Sequence, residues 1–286
     1  MKKTIIFLIF VFTFQFGFAQ FEANYDENKI PDFELPDPLT TFKGKKVNNA
    51  KKWEKKRRPE LLKFFTQNVY GEVPEKLNIA SFKVIEESND AINGKATRKQ
   101  VELSFKKNDL KLDFTILIYL PKSVENAPIF TGYNFFGNHT VSNDVNVIIS
   151  DAWARNNESL GIINNQLTEQ SRGVRDNRWA IEKMIDSGYG LATIYYCEID
   201  ADMDDFADGI HPFFYDKNQT QPGSAEWGSI SAWSWGLSRA MDYFEKDSGI
   251  DESKVILFGH SRLGKTSLWA GATDQRFAAV ISNDSG

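Results

Sequence analysis

The sequence predicts an α/β fold, a three-layer sandwich in which helices cover both faces of a mostly parallel sheet. Three observations carry that expectation. Residues 81–120 hold β-branched, alternating segments separated by turn signals. From about residue 175 the pattern changes to strand–helix alternation. A short apolar strand, Lys254–Phe258, then runs straight into a glycine-flanked serine and a helix.

Taken in order, residues 20–50 are polar, carry Pro31, Pro36 and Pro38, and read as an extended surface arm. Lys51 to Asn68 reads as a helix, with Trp53, Leu61, Leu62, Phe64 and Phe65 among charges, interrupted by Pro59. Its run Lys55-Lys56-Arg57-Arg58 reads as a solvated helical face, a polyanion site being the sharper alternative. Ser81 to Glu87, Ala96 to Phe105 and Lys111 to Leu120 are expected as strands, separated by the turns Asn93-Gly94 and Asn108-Asp109. Ala127 to Tyr133 is a further apolar strand. A helix over Asp176–Ser187, closed by Gly188, leads to a strand over Gly190–Tyr196. A helix over Ser229–Glu245, the strand Lys254–Phe258, a helix over Arg262–Ala272 and a strand over Phe277–Ser282 complete the series. Between them lies a long loop, Glu198 to Trp227, with Asp200, Asp202, Asp204, Asp205, Asp208 and His211. Its spacing matches no calcium loop, so a solvated acidic loop is expected. Trp227, Trp233 and Trp235 are placed for core packing, or for stacking on sugar rings.

Hydrophobic residues make up 41% and charged residues 26% of the 286, as in a globular protein, and 23 Phe, nine Tyr and seven Trp supply a core and a cleft. The start reads as a secretory leader: Lys2 and Lys3, the apolar run Ile5 to Phe14, then Gly17-Phe18-Ala19. Cleavage is expected after Ala19, giving three segments: a signal peptide 1–19, an arm 20–50 and a domain 51–286. Losing that leader takes the formal net charge from -5 to -7. Such a balance argues against nucleic acid or an anionic membrane as partner. A secreted or periplasmic monomer is expected. The one cysteine, Cys197, follows an apolar run and reads as a buried core thiol, which rules out an intramolecular disulfide and a cysteine-rich zinc site. No ligand spacing suggests a metal, and no cofactor is expected.

The chemistry is concentrated in Lys254 to Lys265, KVILFGHSRLGK. A strand, then Gly259-His260-Ser261-Arg262-Leu263-Gly264, then a helix is the context of the nucleophile elbow of α/β-hydrolases. Gly259 leaves room for the tight turn, and the new helix points its first N–H groups at a reacting carbonyl. The usual second glycine, two after the serine, is replaced by Leu263; Gly264 stands three after.

That variant spacing resembles the glucuronoyl esterases, carbohydrate esterase family 15, whose elbow reads G-x-S-R-x-G-K and is matched by Gly259, Ser261, Arg262, Gly264 and Lys265. Asn283-Asp284-Ser285-Gly286 is similar to the family's later motif of an acid before Ser-Gly. Upstream, Trp53, Lys56-Arg57-Arg58-Pro59-Glu60 and Asn68-Val69-Tyr70-Gly71 look like bacterial members. So do Asn134-Phe135, Gly137-Asn138-His139-Thr140, Arg178-Trp179 and Gly188-Tyr189-Gly190. The resemblance implies an α/β-hydrolase with Ser261 as nucleophile. It implies Arg262 at the oxyanion, through its backbone N–H and its guanidinium, or else a helix-surface arginine paired with a carboxylate. It implies Lys265 on hydroxyls of a glucuronate ring. Asp284 becomes either the triad acid or a structural hydrogen-bonding residue, some bacterial members taking the acid from a later loop.

Three histidines are present. His260 lies on the elbow and is expected to point away from the base position. His139 falls in a motif after an early strand, and His211 on the long loop is able to approach the cleft. The order serine, acid, histidine places the triad histidine after Gly286. A truncated reading frame, its last strands missing, is therefore expected, with an inactive or barely active and poorly soluble chain and an open apolar edge at Phe277–Ser282. The leading function is hydrolysis of the ester between 4-O-methylglucuronate on xylan and a lignin alcohol. The alternatives are an acetyl-xylan or general carboxylesterase and a carbohydrate-binding remnant.

Overall fold

The computed structural model describes residues 24–74 and 81–285. The expected leader, 1–19, and Gly286 lie outside the described residues. Seven strands form one sheet in the order β1-β2-β3-β5-β4-β6-β7. They are β1 Ser81–Ala91, β2 Ala96–Lys107, β3 Leu110–Pro121, β4 Ala127–Asn134, β5 Gly190–Tyr195, β6 Ile250–His260 and β7 Ala279–Asn283. The first three are an antiparallel meander, and β3 also pairs antiparallel with β5. The pairs β4–β5, β4–β6 and β6–β7 are parallel. Only β1 and β3 therefore run against the common direction. The two tight reversals use residues that tolerate left-handed backbone: Asn93 at φ 56° and Asn108 at φ 54°.

Strand period decides which helix covers which face. On β3, Ile116, Ile118 and Leu120 share a core with Ala232, Trp233, Leu237 and Met241 of α4 (Ser229–Phe244) and with Leu263 and Ala270 of α5 (Ser261–Thr273). The alternate residues Leu117 and Tyr119 pack on Ile181 and Ile185 of α3 (Ile181–Asp186). Helices on both faces make the three layers, and each buried aliphatic side chain contributes roughly 1.5–3 kcal/mol. Trp227, Trp233 and Trp235 are all buried in the first of these cores, which selects the packing reading for them.

Several elements differ from expectation for tertiary reasons. The helix at Asp176–Ser187 is reduced to a 3-10 turn, Asp176–Arg178, and α3; between them Trp179 leaves the helix and sets its ring edge-on against Phe258 at 5.5 Å. Phe277 precedes β7 and belongs to the core. β7 is the last strand in the sheet order and leaves Ile281 52% exposed. The N-terminal helix runs through Pro59, because a π-type turn, Trp53–Arg57, joins α1 (Ala50–Lys52) to α2 (Arg58–Phe65), and a second, Thr66–Tyr70, follows α2. The widened turn places proline at the start of α2, where its missing N–H costs little.

The basic run is not a uniformly solvated face. Lys55 and Lys56 are exposed, but Arg57 is buried. Its Nε donates to the Pro38 carbonyl at 2.9 Å, its Nη1 to Glu60 at 2.8 Å, and its guanidinium lies 4.7 Å from the Phe42 ring centroid. Arg58 donates to the Ala272 carbonyl at 2.8 Å. The arm is thus fastened over Asp37–Val47, where Val47 is buried and the Lys46 ammonium holds the Asp37 carboxyl well below the usual range. Arg57→Met should release this clasp, costing about 2 kcal/mol locally. Limited proteolysis should then cut between residues 30 and 47 several-fold faster while the sheet's unfolding midpoint stays nearly fixed.

Candidate active site

The site is built by one reversal of the chain. β6 ends at His260, and Ser261, the first residue of α5, takes φ 54°. Few non-glycine residues adopt that conformation, and it is held only where surroundings over-determine it. A Cβ at Gly259 would lie 2.2 Å from the Leu263 carbonyl oxygen and 2.7 Å from Ser267 Oγ, so only glycine fits. Leu263, where the usual motif has glycine, is 1% exposed and points into the core. Gly264 is the residue that meets the next strand: its Cβ would stand 2.9 Å from Ser282 Oγ and 3.2 Å from the Asn283 carbonyl oxygen. The shifted glycine thus follows from which face of α5 touches β7.

In the β6–β7 ladder His260 pairs with Asn283. Ser261 and Asp284 are therefore each the first residue beyond the same rung, on strands about 4.8 Å apart. Asp284 also has positive φ, 50°, and is exposed. The structure brings the expected serine and acid to neighbouring positions at the carboxyl edge of the sheet.

Two hollows flank the elbow. One, of about 600 Å³, is lined by Tyr70, Arg155, Asp202, Trp233, Arg262 and Lys265 among others. The second, of about 490 Å³, is lined by Phe135, Arg175, Trp179, Gly259, His260 and Asn283 among others. The chain neighbours of Ser261 line one each, Arg262 the first and His260 the second. Arg262 and Lys265, one helical turn apart on α5, share the first cleft, both exposed.

Arg262 has the carboxylate partner that its structural reading required. Nη1 is paired with Asp202 Oδ2, with 43% of the arginine side chain exposed against 18% of the aspartate. Tyr196 donates its hydroxyl to the same oxygen at 2.8 Å, and Arg155 Nη2 stands 3.9 Å from it. Asp202 and Tyr196 were not singled out from sequence: Asp202 lies 60 residues before Arg262, in a stretch whose only signal was its acidity.

That stretch is not the solvated loop expected. Asp204 and Asp205 are exposed, but Asp200 and His211 are both fully buried, His211 Nε2 lying 3.4 Å from Asp200 Oδ1. The His211 ring is walled by Phe206 and Trp227 at 5.0 and 5.2 Å, so it does not approach the cleft. Burial pushes the Glu198 carboxyl at the loop's start up to about 7, and the Thr115 N–H donates to it at 2.7 Å. His139 is equally enclosed, with Nε2 2.7 Å from Ser171 Oγ. Burial, and then the Arg172 charge, depress its pKa to about 4. His260 is exposed in the second hollow, and its Nδ1 lies 3.0 Å from the Asn283 amide nitrogen. Among the described residues, none of the three histidines bonds the Ser261 hydroxyl.

A sheet of this order, with a positive-φ serine between strand and helix at its carboxyl edge, defines an α/β-hydrolase fold. Residues 178–286 match the family model described as "Glucuronyl esterase, fungi". A carbohydrate esterase named MZ0003, from an unknown prokaryotic organism, is 48% identical over 92% of this chain and 61% of its own length. A solved structure titled as a promiscuous CE15 esterase from a marine bacterial metagenome superposes with TM-score 0.82 at 48% identity, covering 92% of this chain and 66% of that one. A glucuronoyl esterase from Solibacter usitatus gives TM-score 0.83 at 42% identity over 91% and 66%. The chain belongs to the glucuronoyl esterases, carbohydrate esterase family 15. It spans 61% of the length of the first of these relatives.

Two outcomes follow from the geometry. Gly259→Ala should destabilise the protein by about 3 kcal/mol or more, because backbone blocks the new methyl, and Gly264→Ala by only about 1–2 kcal/mol, because the nearest obstacle is a rotatable Ser282 hydroxyl. Urea unfolding of the two variants checks the order. His139 is held neutral, its folded pKa being about 4 against 6.5. The His139 contribution to stability should therefore be flat above pH 7, fall as pH drops from 6.5 towards 4, and level off below, a loss of up to about 3 kcal/mol that Glu198, with its carboxyl raised to about 7, opposes over the same range. His139→Gln should remove most of that slope in unfolding curves taken between pH 4 and 7.

Proposed function

We propose that this chain carries the nucleophile half of an exported serine esterase acting on esters of (4-O-methyl)glucuronic acid, the linkage between glucuronoxylan and lignin alcohols. One observation carries the reading: a serine held at positive φ directly precedes Arg262, which lines a cleft together with Lys265. Ser261 would attack the ester carbonyl, form an acyl-enzyme and expel the alcohol. The first N–H groups of α5, that of Arg262 foremost, have no partner within the helix and would take the oxyanion. Lys265, a cation at a helix start where the dipole disfavours it, would donate to hydroxyls of the sugar ring. Asp284, beside Ser261, is proposed as the acid that orients an imidazole. That imidazole is supplied by none of His139, His211 and His260 as they are placed here. The leader-like start supports export to the periplasm or beyond, and among the described residues no helix is long and apolar enough to cross a membrane.

A broader carboxylesterase is the second reading. It is favoured by the relative titled as promiscuous, which is 48% identical to this chain. Sugar recognition separates the two. Calorimetric binding of methyl 4-O-methylglucuronate should weaken about tenfold in Lys265→Ala, the loss of one charge-assisted hydrogen bond, with phenyl acetate unaffected. Equal weakening for both esters, or no binding of the uronate ester, rejects the uronate reading and leaves the broader one.

A further inference from the structure

We propose that Asp202 is the positioning residue for Arg262. Its carboxylate holds the guanidinium at the cleft rim and cancels its charge there. As a result, the cleft prefers a neutral uronate ester to the uronate anion left after hydrolysis. The ester-over-acid preference rests on the uronate-esterase reading, whereas the Asp202–Arg262 pairing does not.

Most exposed ion pairs hold nothing in place, because two long side chains lose more freedom than a screened attraction returns. This pair is built differently. The Asp202 side chain is 18% exposed, and its Oδ2 gathers Arg262 Nη1 together with the Tyr196 hydroxyl at 2.8 Å. Arg155 closes from the other side, donating from Nη2 to the Asp202 carbonyl at 3.3 Å. The platform beneath is fixed by core contacts. Trp233 Nε1 donates to the Asp200 carbonyl at 2.9 Å, and the Trp233 carbonyl itself accepts from the Tyr133 hydroxyl at 2.6 Å. Tyr196 stacks edge-on against Trp233 at 5.0 Å. An acceptor rooted this firmly dictates where a long, rotatable arginine ends.

The charge balance gives the pairing its chemical meaning. Arg155, Arg262 and Lys265 line the cleft with the acids Asp202 and Asp204. Ester hydrolysis consumes water and converts a neutral ester into a carboxylate, an alcohol and a proton released to solvent. Three uncompensated cations would grip that carboxylate. Asp202, shared between two of them, lowers the field it meets, while an ester carbonyl, which needs donors rather than net charge, is served as before. The cations' exposure to solvent keeps the effect at the modest end, about three- to tenfold in relative affinity.

The test uses the full chain with Asp202→Asn and Asp202→Glu. Phenylglyoxal modification of each arginine is timed by peptide mass spectrometry, with Arg276, paired with Asp274 elsewhere, as internal reference. Arg262 should react about three- to tenfold faster in Asp202→Asn, return close to its original rate in Asp202→Glu, and leave Arg276 unchanged. An unchanged Arg262 rate overturns the positioning, and so does a rate that rises for both arginines, which reports general loosening. Calorimetry with glucuronate and its methyl ester then reads the preference. Asp202→Asn should shift the ratio of the two affinities about three- to tenfold towards the acid, and an unmoved ratio overturns the charge-cancelling claim. If neither sugar binds the unaltered chain while Arg262 reactivity responds, the ester-over-acid claim falls with the uronate reading and the pairing stands.

Discussion

The backbone reversal at Ser261 is the constraint on which the carboxyl edge of the sheet depends. An L-residue in that region costs of order 1–3 kcal/mol and persists only when its neighbours leave no alternative. Here they do not. Gly259 admits the Leu263 carbonyl against the strand, and Leu263 is buried beneath the turn. Ser267 Oγ donates within 3.0 Å of both the Phe258 and Leu263 carbonyls, tying α5 to β6 across the bend. The same reversal fixes the direction in which Arg262 and Lys265 leave the helix, and hence which cleft they enter. A site on a loop would have needed its own supports, whereas this one takes its precision from the paired strands β6 and β7.

Much of this was legible in the sequence, because the relevant signals are local. β-branched alternation marked the meander, strand–helix alternation marked the layered half, and the run Gly259 to Lys265 contained both the turn and its occupants. Boundaries slipped where a distant side chain decided them, as Trp179 did by leaving its helix for Phe258. Pro59 was read as an interruption because the widened turn that accommodates it has no sequence signature. The partner of Arg262 was illegible for a simpler reason: no pattern in a sequence links two residues 60 positions apart on different elements. Composition misled in the same way. Five aspartates in one stretch suggested water, yet the fold buries Asp200 and half-buries Asp202 in the cleft wall.

The segments that look like the family outside the elbow do structural work in this molecule. Asn134 donates to Asn138 at 2.7 Å and to Thr193 at 3.1 Å, and Asn138 donates in turn to the Thr115 carbonyl at 2.9 Å. The His139 and Thr140 carbonyls accept from Gly173 and Arg175. A buried polar network of this kind is tolerated only when its members are largely satisfied, and it then specifies one loop geometry. Gly137, at φ 91° and hard against Leu167, gives the chain its entry. These residues explain why likeness to relatives extends far from Ser261 without adding reactive groups.

The single thiol gives this architecture an internal timer. Cys197 is 7% exposed, in the 3-10 turn that follows β5, and burial pushes its thiol up to about 11. A thiol so enclosed and so weakly ionised is inert to alkylating reagents while the surrounding layer is closed. Cys197 shares its buried core with Tyr196 and Trp233, so the alkylation rate of one atom measures how often the layer beneath the cleft opens.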